Sequence, residues 1–135
     1  MTEGQIEANK EVVRLFNSEL ITKGDRDAFA GIVASDFVDH SAPPENAGAE
    51  ALEFFVFELL RKAIPDINVE IQDQIAEGNK VTTRKVFHGT FMSDLLGIPA
   101  SNRPIAIQVI DILTVRDGKL SEHWGLNNFA QVAQG

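Results

Sequence analysis

The sequence predicts an α+β domain in which helices cover one face of a mainly antiparallel sheet. Two observations lead to this prediction. Apolar residues recur at helical spacing through the first half of the chain, and after Pro65 they follow the two-residue alternation of strands. Two hairpin signals, Gly78-Asn79 and Asp117-Gly118, then join neighbouring strands. With 135 residues, 44% of them hydrophobic, the chain is expected to form one domain over residues 1–135.

Three helical segments are predicted before the sheet. Residues 5–22 carry an apolar stripe, and Gly24 is typical of a helix end. Asp25 is a typical N-cap for a short second helix around Phe29. A brief extended piece over 36–40 ends in a proline-rich turn, and a third helix is predicted over 49–63. The core stripe predicted for this helix comprises Leu52, Phe55, Val56, Leu59 and Ala63.

Four strands are predicted in the second half of the chain. They cover about 67–75, 80–91, 104–116 and 119–126, and the segment 92–103 is predicted to be an irregular connection. No repeat or linker interrupts this order. Helices followed by an antiparallel sheet are the basis of the fold-class prediction.

Composition excludes several classes of function. A net charge of -8 with scattered cations argues against nucleic-acid and membrane partners. The chain has no cysteine, which excludes thiolate chemistry, and its polar N-terminus is not a signal peptide, so we expect a cytoplasmic protein. Three widely spaced histidines give no metal signature, and no phosphate or dinucleotide motif occurs. We therefore expect chemistry without a metal or cofactor, carried by Asp and His side chains.

Asp111 is the main candidate for a catalytic residue. It shares one face of its predicted strand with aliphatic residues, including Val109 and Leu113. A carboxylate in such surroundings loses hydration, so we expect its pKa to rise. Asp111 is then either a general base at the floor of an apolar pocket or a core aspartate held by protein donors.

The Asp117-Gly118 turn predicts the neighbours of Asp111. A two-residue turn pairs Val115 with Leu120, and counting onward places Trp124 beside Asp111. A slip of one residue would instead pair Asp111 with His123 and create a carboxylate–imidazole dyad. The better apolar matching favours Trp124.

The Gly78-Asn79 turn gives a second set of neighbours. It pairs Asp73 with Arg84, which indicates a structural ion pair, and it places His88 opposite Val69. His88 is therefore either a core histidine or a donor to a substrate oxygen. His40, at the start of the proline-rich loop, is either a solvated histidine or part of a pocket mouth.

Seven short segments in order resemble one known family. They are Phe37-Val38-Asp39-His40, Ile64-Pro65-Asp66, Ala76-Glu77-Gly78-Asn79, Gly89-Thr90-Phe91, Leu96-Gly97-Ile98-Pro99, Ile110-Asp111-Ile112 and Glu122-His123-Trp124-Gly125. Together they resemble the SnoaL-like polyketide cyclases of the nuclear transport factor 2-like superfamily.

This resemblance implies a cone-shaped barrel, in which about three helices close a curved, mainly antiparallel sheet around an apolar cavity. It also implies a homodimer or larger homo-oligomer formed through the outer sheet face. The family's acid/base role falls on Asp111, and His88 and His40 match assisting side chains by position. Many relatives have Gly-Thr-His at the position of Gly89-Thr90-Phe91, so this chain lacks one polar group.

The resulting hypothesis is a cofactor-independent intramolecular aldol condensation of a hydrophobic polyketide-type ester. Asp111 and His88 are the predicted catalytic residues. The predicted substrate-binding residues are His40, Trp124, Phe16, Phe55, Leu59, Val109 and Leu113. The alternatives are another acid/base reaction in the same pocket, such as that of an isomerase, dehydratase or epoxide hydrolase, and a non-catalytic, dimeric small-molecule-binding module.

Overall fold

The computed structural model describes residues 1–134 and has a five-stranded sheet covered on its inner face by the N-terminal helices. The strands are β1 (Val33–Asp39), β2 (Asn68–Glu77), β3 (Lys80–Thr90), β4 (Pro104–Arg116) and β5 (Lys119–Asn127). Their order across the sheet is β1-β5-β4-β3-β2. The β1–β5 pair is parallel, and the other neighbouring pairs are antiparallel. The predicted α+β class is confirmed.

The helices lie where the apolar spacing predicts them, with one addition at the C-terminal end. They are α1 (Glu3–Leu15), α2 (Phe29–Ile32), α3 (Ala49–Phe54), α4 (Arg61–Ala63) and α5 (Phe129–Gln134), with 3-10 turns at Arg26–Ala28 and Pro44–Asn46 and π-helical turns at Phe16–Thr22 and Phe55–Leu60. A capping box at Thr2 begins α1. The Thr2 hydroxyl accepts a hydrogen bond from the backbone N–H of Gln5, and the side-chain oxygen of Gln5 accepts one from the backbone N–H of Thr2. The helix α5 was not predicted from the sequence. None of the helices in residues 1–134 has the length and apolar character needed to span a bilayer.

A π-helical turn changes which side of the third helix faces the core. The predicted stripe included Leu59, but Leu59 is 37% exposed while Phe57 and Leu60 are buried. The turn at Phe55–Leu60, which contains Leu59, holds more residues than an α-helical turn, so its positions are rotated about the helix axis relative to an α-helix. The prediction that Leu59 lies in the core was wrong for this reason.

A bulge in β5 changes the register around Asp111. Val115 pairs with Leu120 as predicted, but Ser121 is then an extra residue on β5. As a result, Asp111 pairs with Gly125 and not with Trp124 or His123. Both registers considered from the sequence were wrong beyond the first pairs of the hairpin.

A second bulge, in β2, has the same effect on the other hairpin. Asp73 pairs with Arg84 as predicted, and their side chains form an exposed ion pair at 2.9 Å. Gln72 is the extra residue, so His88 pairs with Asn68 and not with Val69. His88 therefore lies on the outer side of the sheet.

Candidate functional site

The side chain of Asp111 lies on the inner face of the sheet, at the middle of β4. Residues of β4 alternate between buried and exposed, and Asp111 falls on the buried side with Val109 and Leu113. Its side chain is 2% exposed. The strand pattern thus predicted the burial of this carboxylate correctly.

The partner that compensates the buried carboxylate is Lys85, from the neighbouring strand β3. Its ammonium Nζ lies 3.0 Å from Oδ2 of Asp111, and both side chains are 2% exposed. The same Nζ donates to Oδ1 of Asn17 at 2.7 Å and lies 5.6 and 5.4 Å from the ring centroids of Phe16 and Phe87. The carboxylate of Asp111, the hydrogen bond to Asn17 and the two aromatic faces together hold the charged lysine in the interior.

Neither Lys85 nor Asn17 was predicted from the sequence as a site residue, although each leaves a signal there. Lys85 alternates with Val81 and Phe87 on one strand face, and Asn17 lies at helical spacing from Val13 on the apolar stripe of the first helix. A polar residue in each of two apolar patterns indicates a buried polar contact. Asn17 also lies in the π-helical turn Phe16–Thr22, a feature that is frequent at functional sites.

Two buried oxygen atoms of the site have no partner among residues 1–134. They are Oδ1 of Asp111 and Oγ1 of Thr83, which are on directly paired positions of β4 and β3. Buried polar atoms are almost always hydrogen-bonded in folded proteins. The two oxygens therefore mark a place where the protein leaves hydrogen-bonding capacity unused.

His123 connects Asp111 to a second carboxylate at the edge of the site. Its Nε2 lies 3.4 Å from Oδ2 of Asp111, and its Nδ1 lies 2.9 Å from Oδ1 of Asp39 on β1. His123 and Asp39 are each 23% exposed, so this end of the cluster faces solvent. The bulge that breaks the predicted pairing leaves His123 diagonal to Asp111 and still in contact with it.

The pKa values of these groups follow from their partners. Burial raises the pKa of Asp111, but Lys85 and His123 outweigh it, and the carboxyl titrates below its ordinary value. The expected rise was therefore wrong, because Lys85, which comes from a neighbouring strand, compensates for burial. Burial lowers the pKa of His123, but hydrogen bonds to Asp111 and Asp39 outweigh that loss and raise it to about 9. Asp39, bound to His123, keeps its pKa below the ordinary value against the effect of burial.

At neutral pH the cluster thus contains two carboxylates and two cations in contact. Such an arrangement offers a base, an acid and a buried positive charge within a few ångströms. Within residues 1–134, no group of three or more His, Asp or Glu side chains has the geometry to hold a metal ion.

Three of the predicted site residues lie away from this cluster. Trp124 points to the outer sheet face, where its ring stacks on His40 at a centroid distance of 4.6 Å and lies 4.7 Å from Nζ of Lys80. His40 also contacts Glu122 at 3.1 Å. His88 contacts Glu70 at 2.8 Å with about half of its side chain exposed. The bulges in β5 and β2 account for the positions of Trp124 and His88, because they change the register of the two hairpins. His40 belongs to neither hairpin and follows β1 at the edge of the sheet.

The predicted apolar lining is placed unevenly. Phe16, Val109 and Leu113 are buried on the side of Asp111, and Phe55 packs against the core while partly exposed. Leu59 is the exception described above.

The pockets described in the structure do not open onto the Asp111 carboxylate. A groove of about 420 Å³ lies on the outer sheet face, between Ile110, Ile112, Trp124 and Leu126. Asp111 is among the residues that border this groove, but its side chain points to the opposite, inner face of the sheet. A second pocket of about 340 Å³ lies between the start of β4 and α5. The inner face over Asp111 is covered by packed side chains, so a ligand reaches the carboxylate only if some of them move.

Comparison with known proteins gives a consistent result. The family model described as SnoaL-like polyketide cyclase matches residues 11–135. A crystal structure from Bacillus cereus ATCC 10987, provisionally described as a polyketide cyclase, is 29% identical; the match covers 99% of this chain and 83% of that one, with a TM-score of 0.82. TsrD from Streptomyces laurentii is 22% identical; the match covers 92% of this chain and 90% of TsrD, also with a TM-score of 0.82. IdmH from Streptomyces antibioticus is 24% identical; the match covers 93% of this chain and 96% of IdmH, with a TM-score of 0.78. Comparison with curated proteins finds no match.

Proposed function

This chain belongs to the SnoaL-like polyketide cyclase family, and on that premise we propose that it is an acid/base enzyme that needs no cofactor. The substrate is a hydrophobic compound with several carbonyl groups, such as a polyketide-type ester. The reaction is an intramolecular aldol condensation. Asp111 removes a proton from the carbon next to one carbonyl, and the resulting enolate attacks a second carbonyl of the same molecule.

The observation that carries this proposal is the unequal use of the two Asp111 oxygens. Oδ2 is held by Lys85 at 3.0 Å, while Oδ1 is buried and accepts no hydrogen bond from any residue in 1–134. A base needs one oxygen that fixes the orientation of the carboxylate and one that is free to take a proton. Asp111 meets both requirements once the side chains that cover it move aside, and this movement is part of the proposal because the Asp111 side chain is 2% exposed.

The protonation state of Asp111 supports the same role. Its lowered pKa keeps the carboxylate ionised at neutral pH, as a base must be. A lower pKa also makes it a weaker base. The cations beside it offset that weakness, because they stabilise negative charge that develops on an enolate. A positioned general base contributes roughly 10²–10⁴-fold in rate, and an oxyanion donor contributes roughly 10²–10³-fold.

The test is ring closure of a synthetic aryl-substituted 1,5-diketone by wild type and by Asp111→Asn. The variant keeps the shape of the side chain and removes the base, so we expect the rate to fall at least about 100-fold. Asp73→Asn is the matched control, because Asp73 is an exposed acid on the neighbouring hairpin. Turnover by Asp111→Asn at the wild-type rate would show that the proposal is wrong. A diketone, a steroid-like ketone and an epoxide tested together separate cyclisation from isomerisation, dehydration and epoxide opening, since only cyclisation forms a carbon–carbon bond.

One observation favours a second candidate, a non-catalytic module that binds a small molecule. Oδ2 of Asp111 contacts both Lys85 and His123, and the side chain is almost completely covered. In that case the cluster serves stability alone. Asp111→Asn would then change the free energy of unfolding and leave binding of the diketone, measured by calorimetry, as it is in wild type.

We also propose that two copies of the chain associate through the outer sheet face. Leu126 is 82% exposed there and Ile110 is 53% exposed, and both border the 420 Å³ groove. Contiguous exposed apolar side chains on one sheet face are typical of a protein–protein contact.

A further inference from the structure

His123 lies between two carboxylates that come from different strands. Asp111 on β4 is 3.4 Å from its Nε2, and Asp39 on β1 is 2.9 Å from its Nδ1. We infer that His123 is the general acid that protonates the product alkoxide, with Asp39 as its positioning residue. This inference rests on the proposed function and adds a second catalytic group to it.

Asp39 is held in the orientation that this role requires. Its Oδ1 accepts from the backbone N–H of Ser41 at 2.9 Å as well as contacting His123, so the carboxylate is anchored to its own loop. An anchored acceptor at Nδ1 keeps a proton on that nitrogen and leaves Nε2 for the chemistry. Nε2 is the nitrogen that faces Asp111.

The groups that face His123 keep it charged at neutral pH. Asp39 approaches from β1 and Asp111 from β4, while Lys85 on β3 lies behind Asp111 and opposes them. The two carboxylates prevail, and the pKa of His123 is about 9. A proton is therefore available at Nε2 before the reaction begins.

Gly125 allows the acid and the base to meet. It is the direct cross-strand partner of Asp111. A Cβ at this position would lie 2.7 Å from Cε1 and 2.9 Å from Nε2 of His123, and 3.3 Å from Cβ of Asp111. Any larger residue would push the imidazole away from the carboxylate. The absence of a side chain at Gly125 is thus needed for the contact.

The protons balance within this pair. Asp111 takes the proton from carbon and becomes neutral, and the enolate forms the new carbon–carbon bond. The attacked carbonyl becomes an alkoxide, which takes the Nε2 proton of His123. After the product leaves, Asp111 releases the proton on Oδ1 to solvent, and neutral His123, whose side chain is 23% exposed, takes one up at Nε2. Both groups return to their starting states with no net gain or loss of protons.

The first test needs no substrate. Nitrogen-15 NMR of the histidine rings as a function of pH, with His123→Gln for assignment, reports charge and tautomer. We expect an imidazolium at pH 7 that titrates near pH 9, and a remaining proton on Nδ1 above that pH. Gly125→Ala should lower the titration midpoint, and Gly31→Ala, where an added Cβ has nothing within 4 Å, should leave it unchanged. A neutral ring at pH 7, or a proton remaining on Nε2, would overturn the inference.

The second test separates the acid from the base, using the aryl 1,5-diketone with deuterium next to its carbonyls. In Gly125→Ala and His123→Gln we expect ring closure to fall about 100-fold or more while loss of deuterium to solvent continues, because Asp111 is still present. Thermal unfolding of both variants monitors their fold. Ring closure at the wild-type rate in His123→Gln, or equal loss of both activities, would refute a role as general acid.

The two proposals fail in different ways. If Asp111→Asn retains both deuterium loss and ring closure, the proposed function is wrong. If Asp111→Asn loses both activities while the His123 and Gly125 variants do not separate them, the base is correct and the acid is not.

Discussion

Replacement of Lys85 by methionine tests the buried ion pair that organises the site. Methionine has a similar length and no charge, so the change leaves Asp111 without its 3.0 Å partner. Removing one member of a buried pair costs about 3–5 kcal/mol, because the other charge remains in the interior. We expect a value at the upper end of this range, since Oδ1 of Asn17 also loses its donor. The total stability of a domain is about 5–15 kcal/mol, so the variant should fold with little margin.

The pH dependence of this variant has a defined sign. In wild type the pKa of Asp111 is lowered, so the carboxylate contributes stability at neutral pH that is lost as the pH falls through that lowered value. Without Lys85, only His123 opposes the effect of burial on the pKa of Asp111, so this pKa rises. Acid then neutralises the unpaired charge, and the destabilisation should be smaller at pH 5 than at pH 7.

Urea unfolding, followed by circular dichroism and by the fluorescence of the single tryptophan, Trp124, measures these differences. The double variant Lys85→Met with Asp111→Asn removes both charges, and we expect it to be at least about 2 kcal/mol more stable than Lys85→Met alone. Lys62→Met is the control, since this exposed lysine should contribute about 0–1 kcal/mol. If Lys85→Met costs no more than the control, or if the double variant is the less stable one, the buried pair does not have the role described.

Three further predictions follow from other parts of the molecule. The pKa of His123, about 9, lies above its ordinary value, so the stabilisation by His123 is complete below about pH 6.5 and is lost as the pH rises through 9. Thermal unfolding across this range should show a loss of about 3–4 kcal/mol, which Asp39→Asn reduces. Leu126→Lys should shift the protein toward monomer in light scattering, because a charge on the outer face opposes association; an unchanged molar mass would argue against this interface. Gly89→Ala should destabilise the fold by about 1–3 kcal/mol in urea, because its Cβ would overlap packed side-chain atoms, and Gly48→Ala, which meets open space, should have little effect.

Local patterns were enough to predict the elements other than α5, and the ends of both hairpins. The pairings of Val115 with Leu120 and of Asp73 with Arg84 are observed as predicted, because each lies close to its turn. Beyond the bulges at Ser121 and Gln72, every predicted pairing was wrong. A single extra residue shifts the register, and no strong sequence signal identifies a bulge in a strand that otherwise alternates well.

The sequence by itself determined the fold class and the burial of Asp111, since both depend on apolar spacing along one segment at a time. Its resemblance to a family identified the same residue. Tertiary structure alone decided what surrounds that carboxylate: Lys85, Asn17, His123 and Asp39 come from four separate elements. Asp111 could have been a neutral acid with a raised pKa in an apolar cavity, or an ionised member of a charged cluster. Distances between side chains on different strands and helices decide between these two states. Those distances follow from register and packing, which no periodicity within one segment encodes.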